Sequence, residues 1–207
     1  MADTINLREI VLNEPLPLVT IQKAVIDFLR GRQDAVLFGA QAVNVYVDEP
    51  RATQAVDLMS VRAAGLAEDL RDHLSRLFHI AVRVREIKGG AGYRIFQLRK
   101  DGNRHIADIR AITSFPETRI VENIHVLAPA ELIASKVISH WRRRGKSKSF
   151  TDRRDLIVLL LAFPDLKTKS GRVIDCLREL GADPGAVSFW QELVEQPIAP
   201  ESDEDDF

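Results

Sequence analysis

Two aspartates stand where strand alternation could set a carboxylate to work. Asp57 lies in Arg51-Ala52-Thr53-Gln54-Ala55-Val56-Asp57-Leu58-Met59, after a polar loop. Asp108 lies in Arg104-His105-Ile106-Ala107-Asp108-Ile109, between apolar neighbours, where an unpaired carboxylate is expensive. Alternate residues of a strand share a face, so Asp-x-Asp can offer two carboxylates to one metal centre. A third carboxylate from a neighbouring strand can complete a two-metal clamp. Magnesium takes hard oxygen ligands of this kind, often one or two carboxylates with water and substrate oxygens. The chemistry so served is phosphoryl or nucleotidyl transfer, which needs positioned phosphates, metal and neutralised charge. In this chain the first position of the pair is Ala55, so one ligand is missing. Taken alone, Asp108 also suits an edge position or a salt bridge to an arginine.

The elements that would position these residues follow from periodicity. Ile21, Val25, Phe28 and Leu29 recur at helical spacing and predict a helix over 18–32. Ala35 to Phe38 reads as a short buried strand, turned at Gly39 into a helix over 40–46. A glycine at a strand-to-helix turn lets backbone N–H groups approach a phosphate, although any tight turn favours one. Gln54 to Val61 is the strand of Asp57, and Leu66, Leu70, Leu74 and Leu77 predict a helix over 65–78. Extended segments are expected over 79–87, 93–98 and 104–109, with Lys100-Asp101-Gly102-Asn103 as a hairpin signal and one further segment over 119–127. After Pro129 the pattern turns helical, over 129–143, 150–163, 169–180 and 184–195. The class is α+β: a mixed sheet with flanking helices, then a helical bundle. The boundaries are a core over 18–127, a helical subdomain over 128–196 and an acidic disordered tail over 197–207.

Composition bounds the rest. Of 207 residues 45% are hydrophobic and 29% charged, with a net charge of −1, so bulk charge selects no partner. The charge is unevenly spread. Arg142, Arg143, Arg144, Lys146, Lys148, Arg153 and Arg154 crowd one stretch, readable as a solvated face or as a phosphate or nucleic-acid surface. Cys176 is the single cysteine and falls in an apolar helical stripe, so an inert thiol and a reducing cytoplasm are expected. No secretion pattern opens the chain, and the apolar run from Leu156 to Phe163 is too short to span a bilayer. The five histidines show no zinc spacing, and neither a Ser-His-Asp arrangement nor a Walker phosphate loop is visible.

The order of these features resembles the nucleotidyltransferase fold of the DNA polymerase beta superfamily, and within it the AbiEii/AbiGii toxin-like type of phage-defence systems. Five stretches between about residues 18 and 163 carry the resemblance. Phe38-Gly39-Ala40-Gln41-Ala42 stands at the family's glycine turn and alanine-bearing helix. Arg51-x-Thr53-x-Ala55-x-Asp57-Leu58 matches Arg-x-[Ser/Thr]-x-Asp-x-Asp-Leu at all but the first Asp. Asp108 falls at the third carboxylate. Leu127 to Lys136 is similar to the family's lysine-bearing helix, and Asp152-Arg153-Arg154-Asp155-Leu156 to its Asp-x-x-Asp helix. The resemblance implies that Asp57 and Asp108 are catalytic and bind Mg2+, with Asp108 also activating an acceptor hydroxyl. It implies that Gly39, Ala40, Arg51, Thr53 and Lys136 bind nucleotide phosphate, supported by Asp152 and Asp155. The substrate implied is an NTP, the acceptor an RNA or protein hydroxyl, and the partners an antitoxin or a second copy of the chain. The departure at Ala55 keeps a second reading open, that of a non-catalytic descendant that binds nucleotide, RNA or a partner.

Overall fold

A computed structural model describes residues 16–200. The irregular segment expected over 1–15 and the acidic stretch from 201 onward lie outside the described residues. Seven strands and seven α-helices are present among the described residues, in the mixed α+β arrangement that the sequence predicts. The chain groups into two compact units. Among the described residues the first holds 16–35, 54–113 and 122–124, and the second 36–53, 114–121 and 125–200.

The first unit is a mixed four-stranded sheet with two helices. α1 (Leu18–Leu29) follows Pro17, and α3 (Ala63–Phe78) carries Leu66, Leu70 and Leu74, each fully buried. His79 ends α3 in the left-handed conformation, φ 52°. The strands are β2 (Val56–Ser60), β3 (Val82–Ile87), β4 (Gly92–Gln97) and β5 (Arg104–Ala111), in the order β3-β4-β5-β2. β3, β4 and β5 are antiparallel neighbours, whereas β5 and β2 run parallel. Val56, Leu58, Ile95, Ala107 and Ile109 are all buried to 1% exposure or less. α3 packs against all four strands and α1 against β5. β2 starts at Val56, two residues later than the sequence suggests, so Ala55 precedes the first paired residue.

The second unit is mainly helical. β1 (Val36–Phe38) is buried along its whole length and pairs in parallel with β7 (Ile124–Leu127), Leu37 opposite Val126. β6 (Thr118–Val121) and β7 replace the single extended segment expected over 119–127. The reason is local: Glu122 and Asn123 both take positive φ, 49° and 64°, the signature of a tight hairpin turn. α2 (Gly39–Tyr46), α5 (Ser147–Ala162), α6 (Arg172–Glu179) and α7 (Pro184–Glu195) all pack on α4 (Pro129–Arg142). Leu132, Ile133, Ala134 and Val137 of α4 are fully buried, as befits a helix enclosed on several sides. Cys176 of α6 is buried, and burial together with the nearby Glu131 charge pushes its thiol pKa up to about 12. That is the inert thiol expected of an apolar stripe. No helix among the described residues is long and apolar enough to cross a membrane.

Candidate functional site

β2 and β5 bring the two aspartates together. Parallel pairing sets Asp57 directly opposite Asp108, one strand spacing apart, roughly 4.8 Å. Residues facing each other across a ladder share a face, so both carboxylates project from the same side. Val56 and Leu58, on the other side of β2, are fully buried in the core. Asp57 and Asp108 are therefore held by the hydrophobic alternation that anchors their strands. A one-residue slip would bury both.

Sequence reasoning missed two neighbours of Asp108. Arg94 stands opposite it on β4 and its Nε donates to Asp108 Oδ1 at 2.7 Å. His105 Nε2 lies 3.2 Å from the same oxygen, yet it is buried without a hydrogen bond of good geometry. Three residues apart on a regular strand, His105 and Asp108 would face opposite sides. The register shift at Ile95/Phe96 puts His105 opposite Phe96 and leaves Ile106 as the extra residue of a bulge. The bulge turns His105 onto the carboxylate face, where its ring lies 5.3 Å from that of Phe96, tilted by 36°. Burial opposes the charge of Asp108, but His105 and Arg94 outweigh it and hold the carboxyl below the usual carboxylate range. Arg94 was open to discovery from strand alternation, since the sheet face of β4 is Arg94 and Phe96. The bulge left no sequence signal.

In the second unit, Gly39 begins α2 with φ +68°, a conformation that side chains other than glycine resist. No side-chain hydrogen bond caps that helix start among the described residues, which leaves its first-turn N–H groups as candidates for an anion. Gly39→Val should cost about 1–2 kcal/mol or more of unfolding free energy, read as a lower urea midpoint, because Cβ crowds the left-handed backbone. The loop after α2 is tied back to it. Asn44 donates to Arg51 O at 2.8 Å and accepts from Arg51 N at 3.0 Å, and Gln41 donates to Thr53 Oγ1 at 2.7 Å. Gln41 and Asn44 are one helical turn apart, a spacing visible in the sequence.

Arg51, Lys136, Asp152 and Asp155 form one buried network. Arg51 grips Asp155 with both Nε and Nη2, at 2.7 and 2.8 Å. Lys136 Nζ donates to Asp155 Oδ2 at 2.6 Å and lies 3.5 Å from Asp152 Oδ1. Arg143 completes the set at 3.0 Å from Asp152 Oδ2. Asp155 is fully buried. Burial opposes its ionisation, but the Arg51 hydrogen bond and the Lys136 charge hold its carboxyl below the usual range. Ala40 is buried in the first turn of α2.

The sequence-derived residues thus fall into two groups: Asp57 with Asp108, and Arg51, Lys136, Asp152 and Asp155 around one salt-bridge centre. The two carboxylates suit a single magnesium ion that keeps water and substrate oxygens as its remaining ligands. They do not suit a two-ion clamp, since Ala55 offers no ligand and Asp108 already carries a guanidinium. Another donor group, Glu131, Cys176 and Glu179, lies within 4.8 Å of one another. Arg172 fills it, donating to Glu131 at 2.6 Å and to Glu179 at 2.9 Å.

Solved structures share this architecture. The Megavirus polyadenylate synthase superposes with a TM-score of 0.59 and 15% identity over 77% of this chain and 36% of that one. JHP933 from Helicobacter pylori gives 0.56 and 12% over 87% and 82%. An H. pylori protein provisionally described as a nucleotidyltransferase gives 0.50 and 12% over 86% and 92%. This chain spans 36% of the viral enzyme's length. No protein-family model and no curated protein sequence matches the chain. The chain has the nucleotidyltransferase fold.

Proposed function

We propose that this protein binds a nucleoside triphosphate and transfers its nucleotide to a hydroxyl of an RNA or protein acceptor, with pyrophosphate as the leaving group and the hydroxyl proton released. The observation that carries this reading is the in-register pair Asp57 and Asp108 on parallel neighbours β2 and β5. Those two residues would hold magnesium, which when bound supplies positive charge to phosphate oxygens. Asp108, kept ionised by its neighbours, accepts a hydrogen bond from the acceptor hydroxyl. Backbone N–H groups at Gly39 and Ala40 receive phosphate. In the second unit Arg51 and Lys136 supply positive charge for phosphate, and Thr53 a hydroxyl. Asp152 and Asp155 orient the cations.

The finer assignment is to the AbiEii/AbiGii toxin-like type, acting in the cytoplasm with an antitoxin or a second copy as partner. An RNA acceptor would dock on the turn between α4 and α5. Arg142, Lys146 and Lys148 are exposed there and form no salt bridge among the described residues, and Phe150 is 75% exposed. Cations with an open ring suit a single strand of phosphates and bases.

The test is incubation with each NTP labelled on the α-phosphate, magnesium and cell extract. Label on a macromolecule is the expected result, and sensitivity to ribonuclease or to protease names the acceptor. No label with any NTP overturns the transfer reading. A second reading, nucleotide or RNA binding without catalysis, is favoured by Ala55 and by the guanidinium on Asp108. Calorimetric binding of NTP that is unchanged by magnesium, with no transfer, would establish it.

A further inference from the structure

Arg94 occupies an unusual position for a guanidinium. Pairing across β3, β4, β5 and β2 aligns Arg85, Arg94, Asp108 and Asp57 in one row. The row reads two cations, then two carboxylates. Arg94 Nε sits 2.7 Å from Asp108 Oδ1, an oxygen that a metal ion would otherwise claim. Guanidinium keeps its charge at any working pH, so it cannot step aside by losing a proton. Ala55, just before β2, carries no ligand for a second ion.

We propose that Arg94 stands in for one of two divalent ions, making this a one-ion site. The proposal rests on the reading of Asp57 and Asp108 as the metal-facing carboxylates. Arg94 supplies at Asp108 a positive charge that a second ion would otherwise bring. Loss of the ligand at 55 and the arginine opposite Asp108 are thus two halves of one compensation. Arg94 acts through Asp108, as a positioning residue, and it competes with the ion it replaces. Its removal should therefore tighten metal binding, whereas loss of a merely structural arginine would weaken it.

Manganese serves as the probe, with bound and free ion counted by electron paramagnetic resonance. The parent chain should take one Mn2+, and Asp57→Asn should lose it, which separates this ion from any held at Glu131, Cys176 and Glu179. Arg94→Ala should bind Mn2+ about tenfold more tightly, since one opposing charge has left a half-buried carboxylate. Arg94→Lys, keeping the charge, should stay near the parent. Ala55→Asp combined with Arg94→Ala should take two ions per chain. Circular dichroism and the thermal midpoint check that each variant is folded. Two ions on the parent, or an Arg94→Ala affinity no tighter than the parent's, would overturn the proposal while leaving the metal reading of Asp57 and Asp108 intact. No Mn2+ on any variant, the double one included, would overturn both.

Discussion

Asp155→Ala should lower the unfolding free energy by about 3–5 kcal/mol, the largest stability loss expected here of a single substitution. Asp155 is fully buried and is the hub of two cations. Its removal leaves Lys136 buried without its closest counter-charge, at 7% exposure, and frees Arg51 from a two-pronged grip. The penalty comes from stranding charge rather than from losing a favourable bond, since desolvation already consumes much of a buried pair's attraction. Lys136→Met in the Asp155→Ala background should therefore recover part of the loss, a coupling that a urea-unfolding double-mutant cycle reads directly. Acid dependence carries the same signature. The folded-state pKa of Asp155 is depressed below the ordinary aspartate value. Its stabilisation is therefore fully present above that value and lost as pH falls through the depressed one. The parent's stability should fall steeply at the acid end, and the variant's less so. Equal acid slopes in parent and variant would count against an ionised Asp155.

Asp57→Asn should reduce nucleotide transfer by about 10²–10³-fold or more, the cost of removing one electrostatic element from a transition state that is stabilised mainly by charge. The substitution keeps side-chain shape at a half-buried strand position, so unfolding free energy should stay within about 1 kcal/mol of the parent. That contrast separates chemistry from folding. NTP affinity measured without metal should change little, whereas label transfer should fall by that factor. If Asp57→Asn matches the parent in transfer, the in-register pair is not the reactive centre and the non-catalytic reading gains.

Strand alternation around Val56-Asp57-Leu58 was enough to put Asp57 on the face opposite Val56 and Leu58. The three-residue spacing of Asp152 and Asp155 was enough to put them on one side of a helix. Periodicity alone separated the sheet from the helical end, because it changes from 2 to 3.6 after Pro129. What alternation cannot supply is which strands are neighbours. β2 and β5 are paired although three other elements of the chain lie between them. Nor can it supply parity across a bulge, so His105 was assigned no role.

The sequence by itself determined which residues carry charge on which side of their own element, and the mixed α+β class that these elements build. Local periodicity encodes both, since each element must bury one face. Only tertiary structure decided the partners: Asp108 beside Asp57, Arg94 on Asp108, and Arg51 on Asp155 from 104 positions away. Those contacts depend on register and chain crossing, which are set by the packing of the whole core rather than by any short run of residues. Ala55 shows the limit most clearly. The sequence displays the missing ligand, but the charge that answers it, Arg94, becomes visible only when β4 is laid against β5.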